Sequence, residues 1–416
     1  MIIPSIDIMD GRAVQLRQGK ELVLVSERSP MDLVREYNRY GVVAVVDLDA
    51  ALGRGDNQKL IQEMCRVAEV RVGGGIRDEN VARDFLRAGA SKLVICTAAV
   101  PEFLSKFPKE KIIVALDHKG GEVVDHGWTN ITSESVAERG KRLAPFCGEF
   151  LCTFVKGEGM LEGVPVEEVV SIAQELEGCT ITIAGGVRDT DEAFSLSRLG
   201  VNVQVGMSLY TGKLDLAEAV VKTINFDTMF LVPTVVQDES GQVLMLAYSS
   251  QKSLLRSLGE GKGIYFSRSR NEIWEKGATS GNTQELISCR YDCDNDALLF
   301  VVRQQGVACH TGWYSCFGSQ NKRFSLRQLF EIIKQRIEEN CADSYTVRLA
   351  NDDDFLRKKV MEEASEVVGA LTMEDLRWET ADLLYHSVVL AVKHGLEWQD
   401  IEHELSAREG QERRTL

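Results

Sequence analysis

Short runs of β-branched and other apolar residues alternate with helix-like stretches through residues 1–226. Each of these runs is followed by apolar residues at helical spacing. The runs are MIIPSIDI, VVAVVDLD, VRVGG, KLVICT, KIIVALD, FLCTFV, CTITIAGG and VNVQVG. Alternating strands and helices predict a parallel sheet, and a length near the roughly 250 residues typical of the fold predicts a (β/α)8 barrel. A doubly wound sheet is the competing architecture on this pattern alone.

An internal repeat favours the barrel. GGIRD at Gly74–Asp78 recurs as GGVRD at Gly185–Asp189, and SID, ending at Asp7, is matched by ALD, ending at Asp117. The region therefore resembles two fused half-barrels. Each half supplies one strand that ends in Asp and one strand that ends in a Gly-Gly turn.

The pattern changes twice beyond residue 226. LVPTVVQD begins a region with period-two alternation and turn signals at ESGQ and GEGKG, which predicts a mainly β (α+β) domain. From FSLRQLFEIIKQRIEEN onward the spacing is helical, which predicts an all-α bundle. We therefore predict three domains, at 1–224, 225–322 and 323–416.

Composition narrows the function classes. The net charge of −15 argues against broad nucleic-acid binding, which needs a basic face, but phosphorylated metabolites can still be bound locally. MIIPSIDIMDG has no signal-peptide pattern, and no apolar run approaches the roughly 20 residues needed to span a bilayer. We predict a cytoplasmic protein without a membrane segment, in which the ten cysteines are thiols and most of them are small core residues.

The duplicated strand ends predict the chemistry of the barrel. Active sites of such barrels lie at the C-terminal ends of the strands, where Asp7 and Asp117 would face each other and divide acid and base work. The Gly-Gly turns at Gly74–Gly75 and Gly185–Gly186 leave backbone N–H groups free to bind phosphate. Together these features suit a long substrate with a phosphate at each end. The alternative is that Asp7 caps a helix and the glycines only form turns.

Residues 1 to about 220 resemble the phosphoribosylformimino-aminoimidazole-carboxamide ribotide isomerases of histidine biosynthesis. The matching segments are MIIPSIDIMDGRAVQLRQG, VVDLDAALG, VGGGIRD, ALDHKGG, HGWT, IAGGVRD and VGMSLYTG. The resemblance implies an Amadori rearrangement of an aminoaldose to an aminoketose, with Asp7 as the base at C2 and Asp117 as the acid that opens the ribose ring. It also implies that Trp128 stacks on the substrate, that Thr153 lies beside Asp117, and that Gly206 helps bind phosphate.

The resemblance is broken in one loop. Thr153–Gly163 reads TFVKGEGMLEG, with Phe154 and Glu158 where the family usually has Asp, and Met160 where it has Thr. Cys96 also stands where Gly is usual, which we interpret as a packing change. A barrel without activity, which serves as an oligomerising or regulatory module, is therefore an alternative.

Three cysteines in the middle domain form the pattern of a catalytic zinc site. Cys293, Cys309 and Cys316 lack the paired spacing of a structural zinc site, and three ligands with one open position are typical of catalytic zinc. The fourth ligand would be a water of lowered pKa. His310, beside Cys309, would then handle a proton.

Acidic and basic residues surround these thiols in sequence. If DCDND continues into ALLFVV as a strand, Asp292, Asp294 and Asp296 share one face and favour Mg²⁺, with Cys293 on the other face. An acidic turn is the alternative. Arg268 and Arg270, in IYFSRSRNEIWEKGATSGNTQ, would bind phosphate and ribose unless this is merely a solvated polar loop.

LVPTVVQD, LMLAY, SRSRNEIWEKGATSGNTQ, DCDND and CHTGWYSCF closely resemble phosphoribosyl-AMP cyclohydrolase. The resemblance implies hydrolysis of the N1–C6 bond of the adenine ring by a zinc-activated water, with a further need for Mg²⁺. It also implies an obligate dimer, in which Cys293 meets Cys309 and Cys316 of another subunit.

Two acidic motifs mark the C-terminal domain. Glu362, Glu363 and Glu366 lie within about one helical turn, and Glu379 and Asp382 are three residues apart on the next helix. Apolar neighbours suggest that these acids face the bundle interior, where Mg²⁺ would balance their charge. A solvated acidic helix face is the alternative.

SYTVRL, KKVMEEASEVV, ETADLLYH and ELSAR resemble phosphoribosyl-ATP pyrophosphohydrolase. The resemblance implies that these five acids bind Mg²⁺, that Lys358 or Lys359 binds phosphate, and that the bundle is dimeric or larger. The three resemblances name successive steps of one pathway, so we predict a trifunctional enzyme that acts on phosphoribosyl nucleotides, uses Zn²⁺ and Mg²⁺ and forms a homodimer or larger. A general nucleotide hydrolase is the alternative for the last domain.

Overall fold

The computed structural model describes residues 1–125, 127–128, 130–226, 229–318, 320–340 and 343–412. The chain divides into two compact units, whose main segments are Met1–Asn321 and Lys322–Ser406. Among the described residues, no helix has both the length and the apolar character that crossing a membrane requires.

Among the residues that the structure describes, the N-terminal region contains thirteen strands and ten α-helices. Its strands are β1 (Ile2–Met9), β2 (Arg12–Arg17), β3 (Glu21–Val25), β4 (Val43–Asp47), β5 (Val70–Gly73), β6 (Lys92–Ile95), β7 (Ile112–Ala115), β8 (His118–Lys119), β9 (Glu122–Asp125), β10 (Asn130–Ser135), β11 (Glu149–Thr153), β12 (Thr180–Ala184) and β13 (Asn202–Val205). Its helices are α1 (Pro30–Asn38), α2 (Leu48–Leu52), α3 (Gln58–Val67), α4 (Glu79–Arg87), α5 (Pro101–Leu104), α6 (Val136–Leu143), α7 (Val166–Glu175), α8 (Thr190–Ser197), α9 (Met207–Tyr210) and α10 (Leu216–Thr223).

Eight of these strands close into a parallel barrel. Their order is β13-β12-β11-β7-β6-β5-β4-β1, and β1 pairs with β13 through the register Ile2↔Val203 to complete the ring. All eight apolar runs of the sequence become barrel strands, which confirms the predicted barrel and excludes the open doubly wound sheet. β2 and β3 extend β1 as antiparallel strands, and β8, β9 and β10 form a separate sheet.

Side-chain caps explain where the helices of the repeat begin. Asp78 and Asp189, the last residues of the two GG-x-RD motifs, accept hydrogen bonds from the first turns of α4 and α8. The helix α1, which follows the β1–β3 strands, is capped instead by Ser29, whose side chain accepts a hydrogen bond from Asp32 N–H. Asp7 is therefore not the cap of that helix.

A buried ion pair lies inside the barrel. The carboxylate of Glu149, at the start of β11, accepts hydrogen bonds from Arg71 Nη2 at 2.7 Å and from the hydroxyl of Thr182 at 2.5 Å. Arg71 and Glu149 are 3% and 2% exposed, so each charge depends on the other. Lys92, which is partly exposed, reaches the second carboxylate oxygen at 2.7 Å.

We expect Glu149→Leu to lower the free energy of unfolding by about 3–5 kcal/mol, because it leaves the Arg71 charge buried without its partner. Urea unfolding followed by circular dichroism measures the change. A second substitution, Arg71→Met, should recover most of the loss, because an apolar pair then replaces the ionic one. Glu79→Gln, in surface ion pairs on α4, is the control and should leave stability nearly unchanged. A small effect of Glu149→Leu alone would contradict the prediction.

The middle region contains β14 (Val232–Asp238), β15 (Val243–Ser249), α11 (Gln251–Glu260), β16 (Ile264–Ser267), β17 (Glu272–Glu275), β18 (Gln284–Tyr291) and β19 (Leu298–Gln304). Four strands form one mixed sheet in the order β15-β14-β19-β18, and β16 and β17 form a hairpin. Alternating burial along β14 places Val232, Thr234 and Val236 in the core. The predicted mainly β domain is confirmed.

The expectation that DCDND is a strand was wrong. Asp292–Asp296 form the turn between β18 and β19, with Asn295 at φ +61°. Asp292 Oδ1 accepts hydrogen bonds from the backbone N–H groups of Asp296 and Ala297 at 3.0 and 3.1 Å. Asp and Asn side chains form such local bonds in turns, and here they outweigh the alternation. The two-faced strand with a different metal on each face therefore does not exist.

The barrel and the middle region share an interface within the first compact unit. The guanidinium of Arg39, just after α1, donates to the carbonyl of Leu258 at 2.9 Å, and its own carbonyl accepts from the N–H of Cys289 at 2.9 Å. Asn225 N–H donates to the carbonyl of Asn295 at 2.8 Å. The acidic turn is thus tied to the chain just after α10.

The C-terminal region is helical. Its helices are α12 (Leu326–Glu339), α13 (Tyr345–Asn351), α14 (Asp353–Gly369), α15 (Met373–Lys393) and α16 (Trp398–Glu412). Phe330, Ile333, Leu349, Leu356 and Val389 form its buried core. The predicted all-α domain is confirmed.

Candidate active sites

A cavity of about 240 Å³ opens among the C-terminal ends of the barrel strands. Asp7 comes from β1 in the first half-barrel, and Asp117 follows β7 in the second. The cavity brings both aspartates together with most of the other predicted site residues of the barrel, namely Gly74, Gly75, Trp128, Thr153 and Gly206.

The two aspartates differ in their hydrogen bonds. Asp7 Oδ1 accepts one from the Ser5 hydroxyl at 3.1 Å, and burial raises the pKa of Asp7 to about 6. Asp117 Oδ2 accepts one from the indole N–H of Trp128 at 2.8 Å, and Thr153 also bonds this carboxylate. Burial raises the pKa of Asp117, and these hydrogen bonds oppose the rise. Two carboxyl groups in different surroundings are the arrangement that acid and base catalysis needs.

A third carboxyl group lines the same cavity. Glu158 lies in the loop after β11, and the loop is anchored by a hydrogen bond from Gln18 N–H to the carbonyl of Glu158 at 3.0 Å. Burial, and then the charges of Asp7 and Asp117, raise the pKa of Glu158 to about 8. The side chain therefore keeps its proton at neutral pH. In the sequence, Glu158 stands where the family has Asp and so keeps a carboxylate with one more methylene; its place next to a Gly in a strand-end loop was the signal for a site residue.

The Gly-Gly turns are required by close backbone packing. A Cβ at Gly74 would lie 2.2 Å from the carbonyl oxygen of Asp47, and a Cβ at Gly185 would lie 2.7 Å from that of Phe154. The first turn lines the cavity. Among the residues that the structure describes, neither glycine of the second turn, Gly185 or Gly186, lines it. Both are buried, and Gly186 bonds Gly163 N–H through its carbonyl at 3.0 Å.

Phe154 occupies in the second half-barrel the place that Asp47 occupies in the first, since each backbone packs against the first glycine of a Gly-Gly turn. The Asp47 side chain caps α2 and binds Asn57 at 2.8 Å. The buried Phe154 ring instead contacts His118, with ring centroids 4.5 Å apart. The change from Asp to Phe thus alters how the loop is anchored, and the three carboxyl groups remain in the cavity.

Cys96, interpreted from the sequence as a packing change, also reaches the cavity. Its sulfur lies 3.9 Å from Asp117 Oδ2, at the limit of a weak hydrogen bond. Burial, and then the charge of Asp117, raise the pKa of the thiol to about 12, so it remains protonated.

Two of the three predicted zinc ligands come together in the middle region. Cys309 and Cys316 lie within hydrogen-bonding reach of each other, and the Thr311 hydroxyl, 3.0 Å from Cys309 Sγ, lowers the pKa of that thiol. Burial raises the pKa of Cys316. Lys276, which no sequence motif indicated, is buried and places a positive charge beside both thiols. Thiols near a positive charge are suited to ionise and bind a soft metal.

Cys293 lies apart from that pair. It is exposed in the turn between β18 and β19, and within one chain the described residues do not bring it within 4.8 Å of both other thiols. The carboxylates of Asp292, Asp294 and Asp296 do converge within that distance. The charge of Asp294 raises the pKa of Asp296, because neighbouring carboxylates disfavour each other's charged form. Their hard oxygen atoms fit Mg²⁺.

An open groove connects the remaining predicted residues of this region. Arg268, Arg270 and His310 all line it, beside the aromatic rings of Tyr248 and Trp274. The Arg268 guanidinium lies over the Tyr248 ring at 3.8 Å, and His310 Nδ1 is 4.0 Å from Cys309 Sγ. The groove therefore combines arginines, stacking surfaces and a candidate proton carrier next to the thiols.

In the helical region, three carboxylates converge between α14 and α15. Oxygen atoms of Glu363, Glu366 and Glu379 lie within 4.8 Å of one another. Burial, and then the charge of Glu366, raise the pKa of Glu379, and Asp382 adds to this effect. Only Glu363 among the five predicted acids is buried.

The two neighbouring lysines, Lys358 and Lys359, have different surroundings: Lys359 contacts the acids, and Lys358 is exposed. Lys359 Nζ lies 2.9 Å from Glu362 and 3.3 Å from Glu363, so Glu362 points to this lysine. Lys358 is exposed on α14. The converging oxygen ligands fit Mg²⁺, which would balance their charge.

A barrel with two aspartates in the cavity at its strand ends, followed by a domain with paired thiols and a helical bundle with clustered carboxylates, has the arrangement of a multidomain enzyme. Residues 1–215 match the family model described as histidine biosynthesis protein, residues 245–318 that of phosphoribosyl-AMP cyclohydrolase, and residues 326–409 that of phosphoribosyl-ATP pyrophosphohydrolase. The chain belongs to the histidine biosynthesis protein family. The three resemblances found in the sequence are confirmed in the same order.

Curated relatives cover the chain in part. The histidine biosynthesis trifunctional protein of Kluyveromyces lactis is 46% identical over 180 residues, which are 43% of this chain and 22% of that protein. The histidine biosynthesis bifunctional protein HisIE of Parasynechococcus marenigrum is 38% identical over 218 residues, 48% of this chain and 98% of that protein. That of Caldanaerobacter subterraneus is 43% identical over 199 residues, 45% of this chain and 97% of the relative. The chain thus spans about a fifth of the trifunctional relatives and nearly all of the bifunctional ones.

Proposed function

We propose that the chain catalyses three successive steps of histidine biosynthesis. The region 323–416 cleaves phosphoribosyl-ATP to phosphoribosyl-AMP and pyrophosphate, the region 225–322 opens the adenine ring, and the barrel 1–224 isomerises the resulting aminoaldose to the aminoketose. The order of the regions along the chain is the reverse of the chemistry. The family matches support the first two steps, and the single observation that carries the third is the cavity in which Asp7 and Asp117 meet from opposite half-barrels.

The isomerase step opens the ribose ring and then shifts a hydrogen from C2 to C1, while the C2 hydroxyl loses its proton and becomes the carbonyl of the aminoketose. Ring opening places a proton on the ribose ring oxygen, which we assign to Asp117, and the Trp128 indole orients that carboxyl group. Asp7 then removes the proton at C2, since a pKa of about 6 keeps it a usable base near neutral pH. Glu158, still protonated, adds no negative charge to the cavity. Gly74, Gly75 and Gly206 would bind one substrate phosphate, and Gly185 and Gly186 belong to the turn proposed for the other.

The cyclohydrolase step would use both thiols of the groove. We propose that Cys309 and Cys316, with Cys293 of a second subunit, hold Zn²⁺, and that Asp292, Asp294 and Asp296 hold Mg²⁺. When bound, zinc would supply a water of lowered pKa. His310 takes the proton of the attacking water, and Arg268 and Arg270 bind the substrate phosphate.

The pyrophosphohydrolase step would use the acids of α14 and α15. We propose that Mg²⁺ is held by Glu363, Glu366 and Glu379, with Glu362 and Asp382 completing the set, and that Lys358 binds phosphate. Bound Mg²⁺ would neutralise the charge of the pyrophosphate leaving group. We further propose a cytoplasmic homodimer or larger assembly, formed through the middle and C-terminal regions.

One incubation tests the whole proposal. The purified chain is given phosphoribosyl-ATP with Mg²⁺ and Zn²⁺, and every product is identified by mass spectrometry and chromatography. We expect pyrophosphate and the aminoketose ribotide. Accumulation of the aminoaldose would instead support an inactive or regulatory barrel, and a preference for dATP over phosphoribosyl-ATP would support a general nucleotide hydrolase.

We expect the isomerase kcat/KM to follow a bell-shaped pH profile. Below a pH of about 6 Asp7 becomes protonated and the base is lost; near pH 8 Glu158 ionises and adds a third negative charge beside an anionic substrate. Glu158→Gln keeps the group neutral, so the part of the alkaline decline caused by Glu158 should be lost, while the acid side remains and any remaining alkaline decline belongs to the acid, Asp117. Steady-state kinetics on the purified aminoaldose measure both profiles. An unchanged alkaline side in the variant would contradict the role of Glu158.

A further inference from the structure

A buried histidine lies beside the carboxylates of the helical region. His386, on α15, is 5% exposed, and its Nδ1 is 2.8 Å from the backbone carbonyl of Asp382. A carbonyl can only accept, so Nδ1 carries the hydrogen. The Tyr345 hydroxyl lies 3.3 Å from Nε2 and can donate to that nitrogen. Both ring nitrogens therefore have partners, and the ring has one orientation.

Nδ1 of His386 also faces Glu363, a predicted metal ligand on α14. His386 Nδ1 is 3.7 Å from Oε1 of Glu363, which is also buried. Lys359 Nζ approaches the same oxygen at 3.3 Å. A buried carboxylate needs a donor, since its charge is otherwise costly, and the Lys359 ammonium supplies it. The His386 ring, whose Nδ1 hydrogen is directed at the Asp382 carbonyl, lies against the other side of the Glu363 carboxylate as a close contact.

We propose that His386 is a positioning residue of the candidate Mg²⁺ site, a role that rests on the pyrophosphohydrolase function proposed above. The His386 ring lies between Glu363 on α14 and the Asp382 carbonyl on α15, and this position keeps Glu363 within ligand distance of Glu366 and Glu379. Partners that orient a ligand from behind typically change metal affinity by about 10–100-fold when removed. The histidine touches neither the ion nor the substrate, and it acts through Glu363.

The chain offers a matched set of variants. His386→Leu removes both ring nitrogens, whereas His386→Asn retains a donor near the position of Nδ1. Tyr385→Phe is the control, because Tyr385 packs against His386 with ring centroids 5.3 Å apart and its hydroxyl bonds Thr346 at 2.8 Å. A role in packing alone would lower the thermal stability of the leucine variant and leave its Mg²⁺ affinity unchanged.

Two measurements on the full chain decide between these roles. For His386→Leu, we expect the Mg²⁺ concentration for half-maximal phosphoribosyl-ATP cleavage to rise about 10–100-fold, with kcat at saturating Mg²⁺ changed much less. Mg²⁺ calorimetry should show the same loss of affinity in a background with Asp292→Asn, Asp294→Asn and Asp296→Asn, so that the heat reports the helical site. His386→Asn should recover most of the affinity, and Tyr385→Phe should retain all of it.

The outcomes separate this proposal from the function on which it rests. If His386→Leu lowers thermal stability but leaves the Mg²⁺ isotherm and the half-maximal concentration unchanged, the positioning role is wrong. If the unsubstituted chain does not cleave phosphoribosyl-ATP, the proposed function is wrong, whereas calorimetry still decides whether His386 supports the metal site.

Discussion

Asp7→Asn should reduce isomerase turnover of the purified aminoaldose by roughly 1,000-fold, because asparagine cannot take the C2 proton and a positioned base is worth about 10²–10⁴ in rate. The change preserves the shape of the side chain, and the Ser5 hydroxyl can still donate to the amide oxygen in place of Oδ1. We therefore expect an unchanged circular dichroism spectrum and melting temperature. Cleavage of phosphoribosyl-ATP and opening of the adenine ring should continue, so the aminoaldose accumulates.

Asp10→Asn makes the same chemical change three residues further along the chain. Asp10 is exposed, has a φ of +49° that asparagine readily adopts, and is absent from the described residues that line the cavity. This control should retain full activity. If Asp7→Asn retains more than about a tenth of the activity, the assignment of the base is wrong, since loss of a positioned base costs far more than that.

The fold of the barrel and its two aspartates could be predicted because the signals are local and duplicated. Each apolar run is long enough for one strand, and Asp7 and Asp117 stand at the ends of corresponding runs. The convergence of the strand ends then follows from the topology.

The position of Glu158 could not be predicted in the same way. It depends on contacts that join distant parts of the chain, such as Gln18 N–H to the Glu158 carbonyl and Gly163 N–H to the Gly186 carbonyl. Loops are held by such contacts and not by periodicity. Replacement of an Asp by Phe154 therefore suggested a lost site in sequence, whereas in the structure a carboxyl group still fills the cavity.

For the acidic turn Asp292–Asp296 the predicted local structure was wrong, although the predicted cluster of carboxylates was found. Alternation of Asp292, Asp294 and Asp296 predicted a strand face, but the cluster of Asp and Asn was the stronger signal and indicated a turn. The three carboxylates nevertheless converge, because a tight turn also gathers neighbouring side chains.

On α14 the helical spacing correctly predicted that Glu362, Glu363 and Glu366 lie close together, but it could not show which of them is buried. In the structure the buried acid is Glu363, which contacts His386 and Lys359. Only packing against a second helix distinguishes Glu363 from Glu362. Sequence spacing identifies candidate ligands, and the neighbouring helix selects among them.

Cys309→Ser should remove the bound zinc and reduce cyclohydrolase activity roughly 1,000-fold or more, because a serine hydroxyl does not ionise near neutral pH and the activated water is lost with the metal. Phosphoribosyl-AMP should accumulate from phosphoribosyl-ATP. Elemental analysis of the purified chain measures the zinc, and chromatography measures the intermediate. Cys179→Ser, a partly buried thiol of the barrel, is the control and should retain both zinc and activity.

Mixing variants then tests where the third thiolate originates. Within one chain Cys293 does not reach both Cys309 and Cys316, so we expect the site to combine two subunits. Coexpressed Cys293→Ser and Cys309→Ser chains are each inactive alone, but a mixed dimer has one intact set of three thiols. Random pairing in a symmetric dimer should therefore restore about a quarter of the zinc and of the activity. Complete absence of recovery, with mixed dimers demonstrated by two affinity tags, would show that each zinc site is built within a single chain.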